Sequence, residues 1–74
     1  MYAVKKITKP YITAVLQLGE GESISFGFDK GFAVFDEAGN IHHSPDYRNP
    51  KIKRYSIFRL KSAATQQADY LNRK

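Results

Sequence analysis

The absence of cysteine constrains this chain most. Its 74 residues contain no thiol, so neither a disulfide nor a thiolate metal site can stabilise a fold of a size that often depends on one. A core must come from packing, within the chain or with a second subunit. With 42% apolar and 14% aromatic residues, the composition is that of a folded domain rather than a disordered segment. We expect residues 1–74 to form a single domain.

Alternation of apolar and polar residues predicts several strands before residue 59. The runs are residues 11–18, 24–28, 31–36, 41–43 and 51–58. Short turns at 19–21, 29–31 and 37–40 separate the first four runs. Strands joined by turns of so few residues are antiparallel neighbours.

The period changes near the C-terminus and predicts a helix. Apolar residues recur there at helical spacing, at Leu60, Ala64, Ala68 and Leu71. We expect a helix from about residue 61 to 72, with Ser62 as the N-cap if the helix starts late and with Ile57 extending the apolar stripe if it starts early. Because the phenylalanine-bearing strands need a cover for one face, this helix is expected to pack on them. The predicted fold class is α+β, a small antiparallel β-meander of four to five strands with one C-terminal α-helix packed on the sheet.

No segment has the character of a membrane or secretory signal. No window approaches the roughly 18 to 20 uninterrupted apolar residues of a membrane span. Residues 1–7 lack the apolar core and small-residue cleavage site of a secretory leader. We expect a cytoplasmic protein without membrane contact.

Charge is distributed unevenly within the net +5. Residues 1–10 carry +3, residues 11–46 carry −5 and residues 47–74 carry +7. The two basic ends lie on one face if the first strand pairs with residues 51–58. A concentrated basic face attracts polyanions through steering and counterion release. The alternative is that positive charge only keeps a small domain soluble.

The segment from Tyr47 to Lys61 is the main candidate site, because it interleaves cations with aromatic residues. Lysine and arginine bind phosphates, and exposed rings can stack on bases or sugars. The candidate nucleic-acid-binding residues are Tyr47, Arg48, Lys51, Lys53, Arg54, Tyr55, Arg59 and Lys61, with Lys5 from the first strand. Alternation sends Lys51, Lys53 and Tyr55 to one side of a strand, and Arg54 to the other. The competing interpretation is a solvated edge strand protected by lysine.

The remaining residues do not indicate catalysis. His42 and His43 are adjacent and face opposite ways on a strand, so they do not share an ion, and no tetrahedral zinc spacing is present. Gly19 and Gly21 flank Glu20 in a turn that lacks the ending of a phosphate loop. No acid and base pair stands out. We predict no enzyme, no metal site and no cofactor.

Phenylalanine spacing suggests a second hypothesis. Four phenylalanines are expected in the core, namely Phe26, Phe28, Phe32 and Phe35. Phe32 and Phe35 have an odd spacing and cannot share one face of a regular strand, so one of them is exposed or covered by a partner. This favours a protein-binding modulator or inhibitor that docks on a host or partner protein by an edge strand or exposed aromatics. Both a monomer and a homodimer remain open.

From residue 32 onward, the order of elements is a strand, the turn Asp-Glu-Ala-Gly-Asn, a second strand, a basic third strand and an alanine-rich helix. Over about 40 residues, this topology resembles the arm-type DNA-binding modules of phage-type integrases. The resemblance implies a three-stranded sheet inserted in the major groove. The leading hypothesis is a small non-enzymatic nucleic-acid-binding accessory or regulatory protein of phage or mobile-element type, with double-stranded DNA ahead of RNA.

Overall fold

The computed structural model describes residues 1–73, and Lys74 lies outside them. One five-stranded antiparallel sheet carries one C-terminal helix, which confirms the α+β fold class predicted from the sequence. The strands are β1 (Ala3–Gly19), β2 (Glu22–Phe35), β3 (His43–Pro45), β4 (Ile52–Tyr55) and β5 (Ile57–Phe58), and the helix is α1 (Lys61–Asn72). Within residues 1–73, no helix has the length and apolar character needed to cross a membrane.

β1 and β2 form one long hairpin that turns at residues 20–21. The turn predicted at residues 29–31 is wrong, because β2 continues through them. β1 extends to Gly19 and passes through Lys9 and Pro10 without a break. The hairpin bends here instead, because the pairing shifts by two residues between Ile7 opposite Gly31 and Tyr11 opposite Asp29.

Gly31 allows a close approach between β2 and the end of β5. Its φ is +148°, and a Cβ atom there would lie 2.3 Å from the carbonyl oxygen of Phe58 and 3.0 Å from Cα of Arg59. Any side chain at this position would collide with backbone atoms that have little room to move. Glycine therefore allows β5 to return alongside β2.

The strand order in the sheet is β3-β4-β1-β2-β5. β1 thus lies between β2 and β4, whereas the integrase-like topology would group the strand at residue 32 with the two later strands. β4 pairs with β1 through Ala14 and Arg54. Soon after, β5 pairs with β2 through Ala33 and Ile57. Residues 52–58 therefore pair with both edges of the hairpin, β4 with the edge formed by β1 and β5 with the edge formed by β2.

The core lies at the base of the hairpin, where α1 packs on the sheet. Val34, Ala64 and Ala68 form the buried cluster. The partly buried residues packed against it are Tyr2, Val4, Phe32, Phe58 and Leu71. Leu60 occupies the N-cap position without a side-chain cap bond, so the prediction of Ser62 as N-cap is wrong.

The distal half of the hairpin, toward the turn, lies outside this cluster. Phe26 and Phe28 are 37% and 64% exposed, so the prediction that they belong to the core is wrong. Phe32 and Phe35 are both half-buried, which means that neither is the exposed member of the pair. Phe26 and Phe28 are exposed because α1 is short and covers only the end of the sheet away from the hairpin turn.

Candidate nucleic-acid interface

The two sides of the distal sheet differ in chemistry. Directly paired residues project to the same side, so the register places Lys53 with Val15 on one side and Arg54 with Ala14 on the other. The basic face consists of Tyr11, Gln17, His43, Lys51, Lys53 and Tyr55. The apolar face consists of Ile12, Leu16, Leu18, Ile24, Phe26, Phe28 and Ile52, and the same side also carries Ala14 and the cation Arg54.

Lys51 and Lys53 line a shallow groove on the basic face. The groove has a volume of about 420 Å³ and is also lined by Val15, Gln17 and His43. Within residues 1–73, neither lysine ammonium forms an ion pair. Their charges are therefore available to an anionic ligand.

Three aromatic rings form a cluster on the same face, and one of them, His43, also lines the groove of the two lysines. The ring of Tyr55 makes edge contacts with Tyr11 and His43, with centroid separations of 5.8 and 5.6 Å. A second groove of about 350 Å³ passes the same rings and extends to Asn40. Tyr11 and His43 are exposed, so both rings are accessible for stacking.

Arg54 projects to the opposite side and is already paired. Its Nε donates a hydrogen bond to the buried carboxylate of Asp46. That hydrogen bond, together with a second one from the backbone N–H of Arg48, holds the pKa of Asp46 below its usual value. Arg54 therefore stabilises the loop before β4 and is not part of the basic face.

Tyr47 and Arg48 form a pair in the loop between β3 and β4. Arg48 donates from Nε to the Tyr47 hydroxyl at 2.8 Å, and its guanidinium lies 5.3 Å from the centroid of that ring. Tyr47 is 86% exposed. The two side chains are accessible, and the structure does not place them in either groove of the basic face.

The other three predicted residues lie nearer the base of the sheet. Arg59 forms an ion pair with Asp29 at 2.9 Å, and this hydrogen bond lowers the pKa of Asp29. Lys61 begins α1. Lys5 lies 5.5 Å from the centroid of the Phe35 ring. The structure therefore does not bring these cations together with Lys51 and Lys53.

The two basic ends of the chain do not converge by direct pairing. β1 pairs with β4 through residues 14–16, which lie well beyond the lysines at residues 5–9. About ten residues separate Lys5 from Val15, the partner of Lys53, and this corresponds to roughly 30 Å of extended strand. The bend shortens that distance without joining the two clusters through a strand pair.

Sequence reasoning missed Tyr11, Gln17 and His43 as site residues. Each reaches the basic face from a strand other than β4, so the sequence pattern around residues 47–61 does not predict them. The available signal was the alternation of residues 11–18, which sends Tyr11 and Gln17 to one side once β1 is known to pair with β4.

The histidines have separate surroundings. The ring of His42 contacts Tyr2 at a centroid distance of 5.3 Å, whereas His43 contacts Tyr55. In the part of the chain that the structure describes, no three histidine, aspartate or glutamate side chains cluster as metal ligands would.

Comparison with known proteins adds no relative: no family model, curated protein or solved structure matches the chain.

Proposed function

We propose that this protein binds nucleic acid through the basic face, as an accessory factor without chemistry of its own, and that an unpaired strand is the preferred form. The observation that carries the proposal is the groove that brings two lysines without ion-pair partners, Lys51 and Lys53, together with the accessible ring of His43.

The chemistry of this face suits a sugar-phosphate chain. Lysine ammonium groups bind phosphate oxygens as point charges and release counterions. Exposed rings can stack on unpaired bases of any sequence. Gln17 adds little to this chemistry, because its amide nitrogen already donates to the backbone oxygens of Gly19 and Glu22.

The width of the face favours an unpaired strand over a duplex groove. The distal sheet is formed by β3, β4, β1 and β2 in that order. Three inter-strand spacings of about 4.8 Å give roughly 14 Å between the outer strands, before side chains are added. The major groove of duplex DNA is about 12 Å wide, so this face cannot enter it as a whole.

Binding to labelled single-stranded DNA, single-stranded RNA and duplex DNA across a salt series tests the proposal. We expect the single strands to bind more tightly than the duplex. The double variant Lys51→Ala/Lys53→Ala should weaken binding and reduce the slope of log affinity against log salt by about 1.5 units, because two phosphate contacts are lost.

The matched control is Lys9→Ala/Arg73→Ala, which removes the same charge from positions outside the basic face. Its salt slope should stay near that of the native protein. Equal loss of slope in the two double variants would mean that net charge alone drives binding. A native protein that binds none of the three probes at low salt would overturn the proposal.

Binding of a partner protein is the second candidate function, favoured by the outer edge of β2. Within residues 1–73, β2 is paired on that side only from Phe32 to Phe35, through β5 and a bridge to Ile41. The stretch from residue 22 to 29 therefore presents an open edge that an extended peptide can pair with. Purification from nuclease-treated lysate should then yield a discrete complex, and loss of every partner after nuclease treatment would exclude this candidate.

A further inference from the structure

The apolar face is only partly covered within residues 1–73, where Ile12, Leu16 and Ile52 are half-buried. Its most exposed members are Leu18 at 54%, Ile24 at 49%, Phe26 at 37% and Phe28 at 64%. With ~200 Å² for a fully exposed large apolar side chain, these four leave about 400 Å² of apolar surface in contact with water. An apolar patch of this size is as large as the largest patch on a typical monomer, which is often an interaction site.

The whole chain also exposes more surface than a compact monomer of its mass. Its accessible surface is 5513 Å² for 8.4 kDa, whereas a typical monomer of this mass exposes about 4,600 Å². The excess of roughly 900 Å² is close to the ~800 Å² that one partner buries in a standard interface. The buried apolar residues of the described chain, moreover, are only Ala14, Ala33, Val34, Ala64 and Ala68.

Alternate residues along β2 form a row whose two ends carry opposite charges, so two antiparallel copies of the row match each other in charge. Glu22, Ile24, Phe26, Phe28 and Lys30 follow one another at period two, with an acid at one end and a base at the other. Neither Glu22 nor Lys30 has an ion-pair partner within residues 1–73. Each lies four residues from Phe26, so a two-fold axis at Phe26 brings Glu22 of one copy to Lys30 of the other.

We infer that a second copy of this chain covers the apolar face, in a two-fold symmetric dimer whose sheets pack face to face. Such an interface is isologous, as in most homodimers. Face-to-face packing covers the members of the patch on β1, β2 and β4 together, whereas pairing of two β2 edges would leave β1 and β4 exposed.

Sedimentation velocity over a concentration series tests this inference. The native chain should sediment as a dimer that dissociates only on dilution, with a dissociation constant of about 10 μM or tighter. Phe28→Ser should weaken the dimer at least ~100-fold, because each of the two copies loses one ring from the interface. The control Leu60→Ser removes a side chain that is 67% exposed outside the apolar face and should leave association unchanged.

Charge reversal provides a second test that does not alter the apolar side chains. Glu22→Lys and Lys30→Glu should each weaken the dimer about tenfold, because each places like charges together at both ends of the interface. The double variant Glu22→Lys/Lys30→Glu should restore native affinity. The control Glu20→Lys, located in the turn, should have a smaller effect.

Three results would overturn the inference. A native chain that remains monomeric at about 1 mM would assign the apolar face to a different protein. A dimer insensitive to Phe28→Ser would place the interface elsewhere. Failure of the double charge reversal to restore association would exclude the two-fold axis at Phe26.

Discussion

Lys53 and Arg54 are consecutive in β4 but project to opposite sides of the sheet. Lys53 lines the groove of the basic face, and Arg54 donates to Asp46 on the other side. Asp46 in turn accepts the backbone N–H of Arg48 at 2.8 Å. Two neighbouring cations therefore have different functions: one is available to a ligand, and the other holds the loop that precedes β4.

This relationship predicts different consequences for two alanine substitutions. Lys53→Ala should reduce the salt slope of nucleic-acid binding by about 0.7 units, the value for one phosphate contact to a single strand, and leave thermal stability unchanged. Arg54→Ala should change the slope little and lower the denaturation midpoint, because the carboxylate of Asp46 loses its ion-pair partner. Fluorescence anisotropy across a salt series and thermal denaturation measure the two effects. Similar losses of slope in both variants would contradict the assignment of these residues to opposite faces.

Local patterns predicted the elements better than their arrangement. Alternation over residues 24–28 correctly indicated a strand with Ile24, Phe26 and Phe28 on one side. Whether that side is covered depends on α1, and its 12 residues span about 18 Å. β2 has 14 residues, or about 46 Å. The helix therefore cannot cover the whole hairpin, and the sequence did not show this because the turn predicted at residues 29–31 divided β2.

The sequence predicted only those parts of the candidate site whose residues lie close together in one strand. The common side of Lys53 and Tyr55 follows from alternation within one strand. The approach of Tyr11 and His43 to Tyr55 depends on β1 lying between β2 and β4, which is a non-local pairing. The irregular pairing near residues 8–10 was not predictable, because the turn residues at 29–31 indicate a strand end, although a hairpin can absorb them in an irregular pairing.

Acidification should destabilise the fold below about pH 4 through Asp46. The hydrogen bond from Arg54 lowers the pKa of this carboxyl in the folded state, so the unfolded chain binds the proton more readily. The stability present above the unfolded pKa is therefore lost as pH falls through the folded pKa. The urea midpoint of unfolding should decrease as the pH is lowered from about 7 to about 2. The decrease should be smaller in Asp46→Asn. The control Asp69→Asn, on α1, should keep the native pH dependence.

Gly31→Ala should destabilise the protein by about 2 kcal/mol or more, because the new methyl group meets the backbone of Phe58 at a strained φ. Chemical denaturation measures the loss. Gly19→Ala is the matched control, since a Cβ atom at Gly19 meets nothing within 4 Å, and it should stay within about 0.5 kcal/mol of the native protein. Equal stability of the two variants would mean that β5 does not approach β2 as closely as described.

A face-to-face dimer turns its two basic faces away from each other, which predicts that one dimer links two nucleic-acid strands. This prediction rests on both proposals. The native protein should retain a fluorescent oligonucleotide on beads that carry a second oligonucleotide. Phe28→Ser should bind each oligonucleotide in solution without linking them, since it keeps Lys51 and Lys53 but loses the dimer. Lys51→Ala/Lys53→Ala should dimerise without retaining either strand. Linking by Phe28→Ser at the native level would show that a single chain holds two strands, and that the apolar face has no part in joining them.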